Sequence, residues 1–359
     1  MIRRQVIKIA ATALLASIAS KPASAGFYEK KTLTMVVNYA GGGNADLSAR
    51  IFQTHLRTHL PDTTILVQNM PGAGGALAMN SLGLGLASFK PDGLSIGFFG
   101  LNPPAVIAGD PGHKTTLDDF EFIGAVRDWN VAFIRKDAVP GITRSEEVIK
   151  AKELFIGGYS RSNANDVRSQ LSLKVLGVPY KLITGFPGTA DVNKALLQGE
   201  INFANSALPG YMRQTLPQII QTGIGMPLYY FPVTGPDGKL GKVGTLERMG
   251  IPSFSEVYQR IHGASPSGPD FEALLTMCDL DSAMHGVIAA PKKAPKAAID
   301  ELRAAFAKLY ADEAFQKEYE RVTGEKPELV NSTELEPLLK RFRNVPEELK
   351  SVFREMMKE

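Results

Sequence analysis

Between residues 33 and 204 the chain switches repeatedly from short β-rich runs to longer stretches of helical period, and this alternation narrows the possible folds more than any other feature. The run Leu33-Thr34-Met35-Val36-Val37 is short and β-rich, whereas residues 44–60 space their apolar side chains for one helix face. Strands are expected at 33–39, 64–68 and 94–99, the last after the turn Pro91-Asp92-Gly93, with helices at 44–60 and 74–87 between them. Strand, helix, strand, helix argues for a parallel sheet covered by helices. Residues 120–136 hold two further β-rich runs that carry the chain into a second lobe. There, helices at 144–152, 163–176 and 189–197 alternate with strands at 154–157, 180–184 and 201–204.

About 330 residues after a leader exceed what one core usually organises, which favours two units. The expected division is 26–125 for the first lobe and 126–225 for the second. Residues 226–359 return to the first lobe with carboxy-terminal helices, and hinge crossings are expected near 125–130 and 222–228. The stretch 231–269, dense in Gly and Pro, reads as loops around a short helix at 254–261. Charged amphipathic helices follow at 297–310, 313–322, 332–342 and 346–357.

The amino terminus reads as an export signal. Residues 1–8 are basic, 9–19 are apolar, and Ala23-Ser24-Ala25 offers a cleavage site before Gly26. The apolar stretch falls short of the roughly 20 residues that span a bilayer. Arg3-Arg4-Gln5-Val6-Ile7-Lys8 also resembles a twin-arginine signal, with Ile2 where Ser or Thr is usual, so both export routes stay open. The leader contains Arg3, Arg4, Lys8 and Lys21 and no acid, so its removal turns 40 basic against 37 acidic residues into 36 against 37. A near-neutral chain without a basic block offers no electrostatic footprint for nucleic acid. Cys278 is the single cysteine, which excludes an intramolecular disulfide.

Two Gly-rich junctions between a strand and a helix carry the chemistry: Ala40-Gly41-Gly42-Gly43-Asn44-Ala45-Asp46 and Met70-Pro71-Gly72-Ala73-Gly74-Gly75. Glycines let backbone N–H groups approach a ligand, and a helix amino terminus adds unpaired donors and partial positive charge, a combination suited to an anion. Each loop also reads as a tight turn with a helix cap, Asn44 serving as N-cap and Asp46 favouring the first turn. Neither loop carries a nucleotide-binding motif, and no cofactor is expected.

These residues resemble the substrate-binding proteins of tripartite tricarboxylate transporters, the TctC or Bug family. The resemblance covers 33–50, Val67-x-Asn69-x-Pro71-Gly72-Ala73-Gly74-Gly75 and Pro91-Asp92-Gly93. It continues through Leu176-Gly177-Val178-Pro179-Tyr180-Lys181, Gly185-x-Pro187-Gly188-Thr189, Gln198-Gly199-Glu200-Ile201-Asn202 and Ala289-Ala290-Pro291-Lys292-Lys293-Ala294-Pro295. It implies an α/β, type II-like Venus-flytrap fold in which each lobe is a mostly parallel sheet flanked by helices. It also implies a periplasmic, non-enzymatic protein that closes on a small di- or tricarboxylate or aromatic acid and delivers it to membrane transporter subunits. A monomer is expected. Carried over by position, the first-lobe contacts are Tyr39, Ala40, Gly42, Gly43, Asn44 and Asp46 with Gly72, Ala73 and Gly74. The second lobe faces them with Ser160, Arg161, Ser162, Asn163, Asn165, Gly185, Phe186, Pro187, Gly188 and Thr189, and with Asn205 and Ser206 at the next strand end.

The chain departs from that pattern at Asn44, where Thr is common, and at Tyr159-Ser160-Arg161-Ser162-Asn163, where the family loop is small and neutral. Arg161 is either a bidentate clamp for one carboxylate or a solvated loop arginine. His55 and His59 have chelating spacing but read as an exposed helix face, so no metal site is expected. Trp129 is either a hinge or core residue, or a lid on the ligand. Two other functions stay open: a periplasmic sensor component, and an exported enzyme acting on a carboxylated metabolite. The enzyme would need an acid–base pair, a nucleophile or a metal in the crevice.

Overall fold

The computed structural model describes residues 26–86, 88–235 and 238–358. The expected leader at 1–25, Ala87 at the end of an expected helix, and Pro236 and Asp237 of an expected loop lie outside the described residues. Two sheets organise the chain. The first has the order β11-β4-β10-β3-β1-β2 and is formed by β1 (Thr32–Val37), β2 (Thr64–Asn69), β3 (Ser95–Phe99), β4 (Phe120–Val126), β10 (Gly286–Pro291) and β11 (Leu329–Asn331). The second has the order β7-β6-β8-β5-β9 and is formed by β5 (Asn130–Arg135), β6 (Leu154–Gly157), β7 (Tyr180–Ile183), β8 (Phe203–Ala207) and β9 (Gly225–Tyr230). Each is flanked by helices, giving two lobes.

The β-α-β halves are parallel as the alternation implies: β1 pairs with β2 and β3, and β6 with β7 and β8. The other half of each sheet is antiparallel. β4 and β5 are the strands that cross between lobes, and β10 and β9 pair against them in the opposite direction. The sheets are therefore mixed rather than mostly parallel, because a strand arriving from the other lobe is not bound by the direction of a crossover helix. The first crossing occupies residues 127–129. The return lies later than expected: β9 pairs with β5, so the second sheet extends to Tyr230, and the stretch 222–228 lies partly inside β9 rather than forming a crossing.

Burial explains the elements. All five residues of β3 are buried, the pattern of a strand covered on both faces. Edge strand β2 alternates instead, leaving Leu66 exposed. In α1 (Asn44–His59) Ala49, Phe52 and Leu56 form one buried stripe. Phe52 sits 5.5 Å from Phe98, 6.1 Å from Phe306 and 5.1 Å from Phe315 between ring centroids, contacts that contribute about 1 kcal/mol each beyond area burial.

His55 and His59 are not an exposed face. His55 is buried, with Nε2 2.8 Å from Glu318, and His59 Nε2 lies 3.0 Å from Asp312, so the pair ties α1 to the helix Glu313–Thr323. The partners come from more than 250 residues away, beyond the reach of a local reading. Among the described residues no cluster of His, Cys, Asp and Glu could hold a metal ion, and no helix is long and apolar enough to cross a membrane.

The helix α2 (Ala76–Gly83) follows the second Gly-rich loop, and α3 (Pro103–Ala108) follows β3. In the second lobe, α4 (Ala164–Leu176) is buried nearly all round, and α5 (Thr189–Gln198) precedes β8. The segment 231–269, expected as loops around one short helix, holds two, Gly244–Arg248 and Phe254–His262, and the 15-residue helix Pro269–Ala283 follows it. This last helix packs on α4 and on the carboxy-terminal helix Glu347–Lys358, so it joins the lobes. One apolar cluster runs through both lobes, containing Val36 and Phe99 of the first sheet and Ile134 and Phe203 of the second.

Candidate ligand-binding cleft

A cavity opens between the lobes, lined by Tyr39, Gly43, Asn44, Ala45, Gly100, Asn102, Tyr159, Asn163, Ala164, Asn165, Gly188, Thr189, Asp281 and His285. Three of these are N-caps of long helices: Gly43 of α1, Asn163 of α4 and Gly188 of α5. Helix amino termini from both lobes thus meet at one cavity, presenting backbone N–H groups and the positive ends of their dipoles.

Local sequence builds each terminus. Asp46 accepts from the Gly42 N–H at 2.8 Å and from Arg50 Nε at 2.9 Å, which fixes the first Gly-rich loop rather than facing a ligand. Burial works to raise its pKa, but Arg50 and the Gly42 and Asn69 donors outweigh it and hold the carboxyl low. Gly42 has φ +79°, which a side chain would disfavour. In the second lobe Asp166 accepts from the Tyr159 and Ser160 N–H groups, both at 2.7 Å, and pins the Tyr159–Asn163 loop. Burial pushes its pKa well above the ordinary range, against these bonds and the Arg168 charge.

Polar contacts cross the cleft. Asn163 Nδ2 donates to Tyr39 Oη at 2.9 Å and to the Gly74 carbonyl at 3.3 Å. Asn44 Nδ2 lies 3.4 Å from Ser206 Oγ, and Gln214 Nε2 donates to the Gly42 carbonyl. Tyr39 and Tyr159 meet with ring centroids 5.7 Å apart, and the Tyr159 hydroxyl lies 3.1 Å from Thr189 Oγ1. Burial raises both phenols, Tyr159 to about 12, so both remain neutral donors.

Under the floor lies a bonded network. Asn130 Nδ2 donates to Asn165 Oδ1 at 3.1 Å and to Asn205 Oδ1 at 3.2 Å, and Asn205 Nδ2 donates to the Asn165 carbonyl at 2.8 Å. Arg168, fully buried, donates to Asn165 Oδ1 at 2.6 Å and pairs with Asp281. Burial works to raise the Asp281 pKa, but Arg168 and His285 prevail and hold it low.

Of the residues expected at the site, Tyr39, Gly43, Asn44, Asn163, Asn165, Gly188 and Thr189 line the cavity. Asp46, Gly74, Ser160, Asn205 and Ser206 stand one layer behind, and Ala40 packs where a Cβ on Gly188 would reach it. Gly42, Gly72, Ala73, Gly185 and Pro187 are exposed outside the wall, Phe186 packs into the second lobe's apolar cluster, and Ser162 lies 3.5 Å from Ser160 Oγ.

Arg161 is exposed and borders a surface depression with Gln170, Lys174 and Lys181 instead of the cavity. Its neighbours in the chain turn inward to satisfy the α4 cap, and that turn leaves the guanidinium outside. Trp129 sits at the lobe crossing beside a different pocket, not over the ligand cavity. Gly100 and Asn102 were not anticipated, although the rule that binding residues follow strand ends points to them after β3. Asp281 and His285 carried no local signal: Asp281 lies in the last turn of the unread helix Pro269–Ala283 and His285 just beyond it, and only packing brings them to the cleft.

No protein-family model matches the chain, and no curated protein matches it by sequence. Solved structures match it in fold. The periplasmic binding protein BugD superposes with a TM-score of 0.66 at 22% identity, covering 90% of this chain and 97% of BugD. MatC from Rhodopseudomonas palustris, solved with bound malate, gives 0.63 at 17% identity over 90% of this chain and 98% of its own. An R. palustris protein solved with adipate gives 0.68 at 16% identity over 90% and 97%. The chain has the two-lobed fold of these proteins.

Proposed function

We propose that the chain is an exported solute-binding protein of the TctC or Bug kind, which captures a small carboxylated solute between its lobes and delivers it to a tripartite tricarboxylate-type membrane transporter. The observation that carries the reading is the convergence of three helix amino termini, from both lobes, on one cavity whose donors are mostly uncharged. Such donors hold an anion without the desolvation cost of a new buried cation. Malate in MatC and adipate in its R. palustris fold neighbour support a carboxylate as the ligand class. The leader at 1–25 and the periplasmic setting of BugD support export, with the mature chain starting at Gly26 and acting as a monomer. Ligand contacts are assigned to Tyr39, Gly43, Asn44, Asn163, Asn165, Gly188 and Thr189, with the other expected residues shaping the loops.

An enzymatic reading draws on the His285–Asp281 pair in the cavity. The ring stands 3.8 Å from that carboxylate, outside hydrogen-bond reach, and the aliphatic hydroxyl lining the cavity, Thr189, is engaged by Tyr159. Binding without turnover is the reading that fits.

The test is thermal unfolding of the mature protein with mono-, di- and tricarboxylates, aromatic acids and neutral analogues. Ligand at about 100 times Kd stabilises the native state by roughly 2.7 kcal/mol. A group of acids should raise the midpoint while their neutral analogues do not. Arg161→Ala should leave that shift intact, since the side chain lies outside the cavity. A midpoint that moves with sugars or amines and with no acid would sink the reading.

A further inference from the structure

His285 belongs to neither Gly-rich loop, yet it lines the cavity together with Asp281. Its Nε2 stands 3.6 Å from Asp128 Oδ2 and its Nδ1 3.8 Å from Asp281 Oδ2; both carboxylates are buried and the ring is partly buried, open to the cavity. The carboxylates are not equivalent. Asp281 is committed to the Arg168 guanidinium, and those two charges cancel. Asp128 uses Oδ1 to accept from the Trp129 and Leu208 N–H groups at 2.7 and 3.3 Å, while its Oδ2, facing the imidazole, has no hydrogen-bond partner among the described residues. Asp128 and His285 are therefore placed to share one proton, as imidazolium against carboxylate or as neutral ring against neutral acid. Both arrangements leave this wall of the cleft without net charge.

We propose that His285 is the specificity residue through which the cleft reads a second negative charge on its ligand: the imidazolium holds a carboxylate group, Asp128 takes the proton behind it, and a dicarboxylate is bound with uptake of one proton from solvent. The inference rests on the carboxylate-binding reading above. An anion placed against the ring has to be neutralised in a buried site, and a shared proton next to an unpartnered carboxylate oxygen offers the place to store the second one.

The surrounding charges fix the sign. From the lobe crossing Asp128 and from the end of the Pro269–Ala283 helix Asp281 favour the imidazolium; Arg168 of α4 and burial oppose it, and the net effect raises the His285 pKa. Burial lifts Asp128 to about 6, against His285 and the two backbone donors. Tyr319 faces Asp128 from the Glu313–Thr323 helix, Cys278 faces Arg168 and Tyr39 faces Asp281, and burial raises all three pKa values, which leaves these groups neutral. An added carboxylate raises His285 and Asp128 further. Uptake of a proton on binding means that affinity strengthens as pH falls, in the window above about pH 6 where Asp128 of the free cluster has lost its proton and His285, with its raised pKa, keeps one.

Titration calorimetry on the mature protein tests this, with malate and adipate as dicarboxylates and butyrate as a monocarboxylate. Wild-type affinity for a bound dicarboxylate should fall about tenfold between about pH 6 and pH 8, with buffer-dependent heats reporting proton uptake, while butyrate shows little slope. His285→Gln should abolish slope and uptake and weaken dicarboxylate binding about tenfold at the lower pH. Asp128→Asn, which keeps the ring but removes its supporting carboxylate, should move the pH dependence to lower pH, and it decides the matter if His285→Gln fails to fold. A slope that persists in His285→Gln, an unmoved profile in Asp128→Asn, or wild-type dicarboxylate binding without proton uptake overturns the proposal and leaves carboxylate binding standing. Absence of binding by all three acids overturns both.

Discussion

At Gly74 the two lobes approach so closely that a Cβ would overlap Ser160 Oγ across the cleft, and the residue has φ +62° in the left-handed region. Its carbonyl also accepts from Asn163. Gly74→Ala should therefore act twice. It should cost about 1 kcal/mol of stability from backbone strain, and it should block lobe closure, so that the acid-induced rise in melting midpoint is lost. A variant that keeps the full ligand shift would show that this contact is not part of the bound state. Asn163→Ala should lose about 1 kcal/mol through the α4 cap, whose side chain accepts from the Asn165 N–H at 2.9 Å, and should weaken acid binding as well. A variant that loses stability with unchanged affinity would reduce Asn163 to a cap alone. Gly74 was legible in the sequence because a Gly-rich junction has a meaning set by local backbone geometry, and Asn163 was expected at the cleft only through the family resemblance, its role as the α4 cap being a finding of the structure. Arg161 was not legible, since a long side chain on a turn points wherever the turn sends it.

Among the elements, α4 carries the heaviest polar load. Ten of its residues are buried, including Asp166, Arg168 and Gln170, so the helix has no apolar stripe to match the period of its sequence. Its stability depends on partners, and the main one is Asp281 on the Pro269–Ala283 helix. Arg168→Leu should destabilise the protein by about 3–5 kcal/mol in urea unfolding, because Asp281 is left buried with only the His285 ring, 3.8 Å away, beside it. Arg168→Leu combined with Asp281→Leu should recover most of that loss. If the double variant is as unstable as the single one, packing around the guanidinium stem rather than charge pairing is what α4 needs. The Pro269–Ala283 helix escaped a reading from sequence for the same reason: burial on nearly every side removes the amphipathic pattern that marks a helix, leaving only the start signals of its first turn, Pro269 with Asp270 and Glu272.

For the whole molecule, two kinds of contact join the lobes. The cleft is bridged by exchangeable polar pairs, Asn163 with Tyr39, Asn44 with Ser206 and Gln214 with Gly42, each of net worth near 1 kcal/mol against water. Away from it a continuous apolar cluster crosses through α4 and the Pro269–Ala283 helix, and the cost of separating that is far larger. Opening should therefore be a rotation about the apolar side that breaks only the polar side. Small-angle scattering should find a radius of gyration near about 20 Å that shrinks on adding a bound acid. An unchanged radius at saturation would mean a cleft that stays shut and admits ligand through local motion.

The sequence by itself determined the alternation of strands and helices and the Gly-rich strand-to-helix junctions, because each depends on a few neighbouring residues and the backbone angles they permit; the expected cap at Asn44 is instead the first helical residue, behind Gly43. The tertiary structure alone decided which strands run antiparallel, that His55 is paired rather than exposed, that Arg161 faces outward, and that Asp281 and His285 line the cleft with Arg168 and Asp128 paired behind them. Those outcomes bring together groups up to hundreds of residues apart, and no local pattern records a contact whose two sides are chosen by the packing of the whole chain.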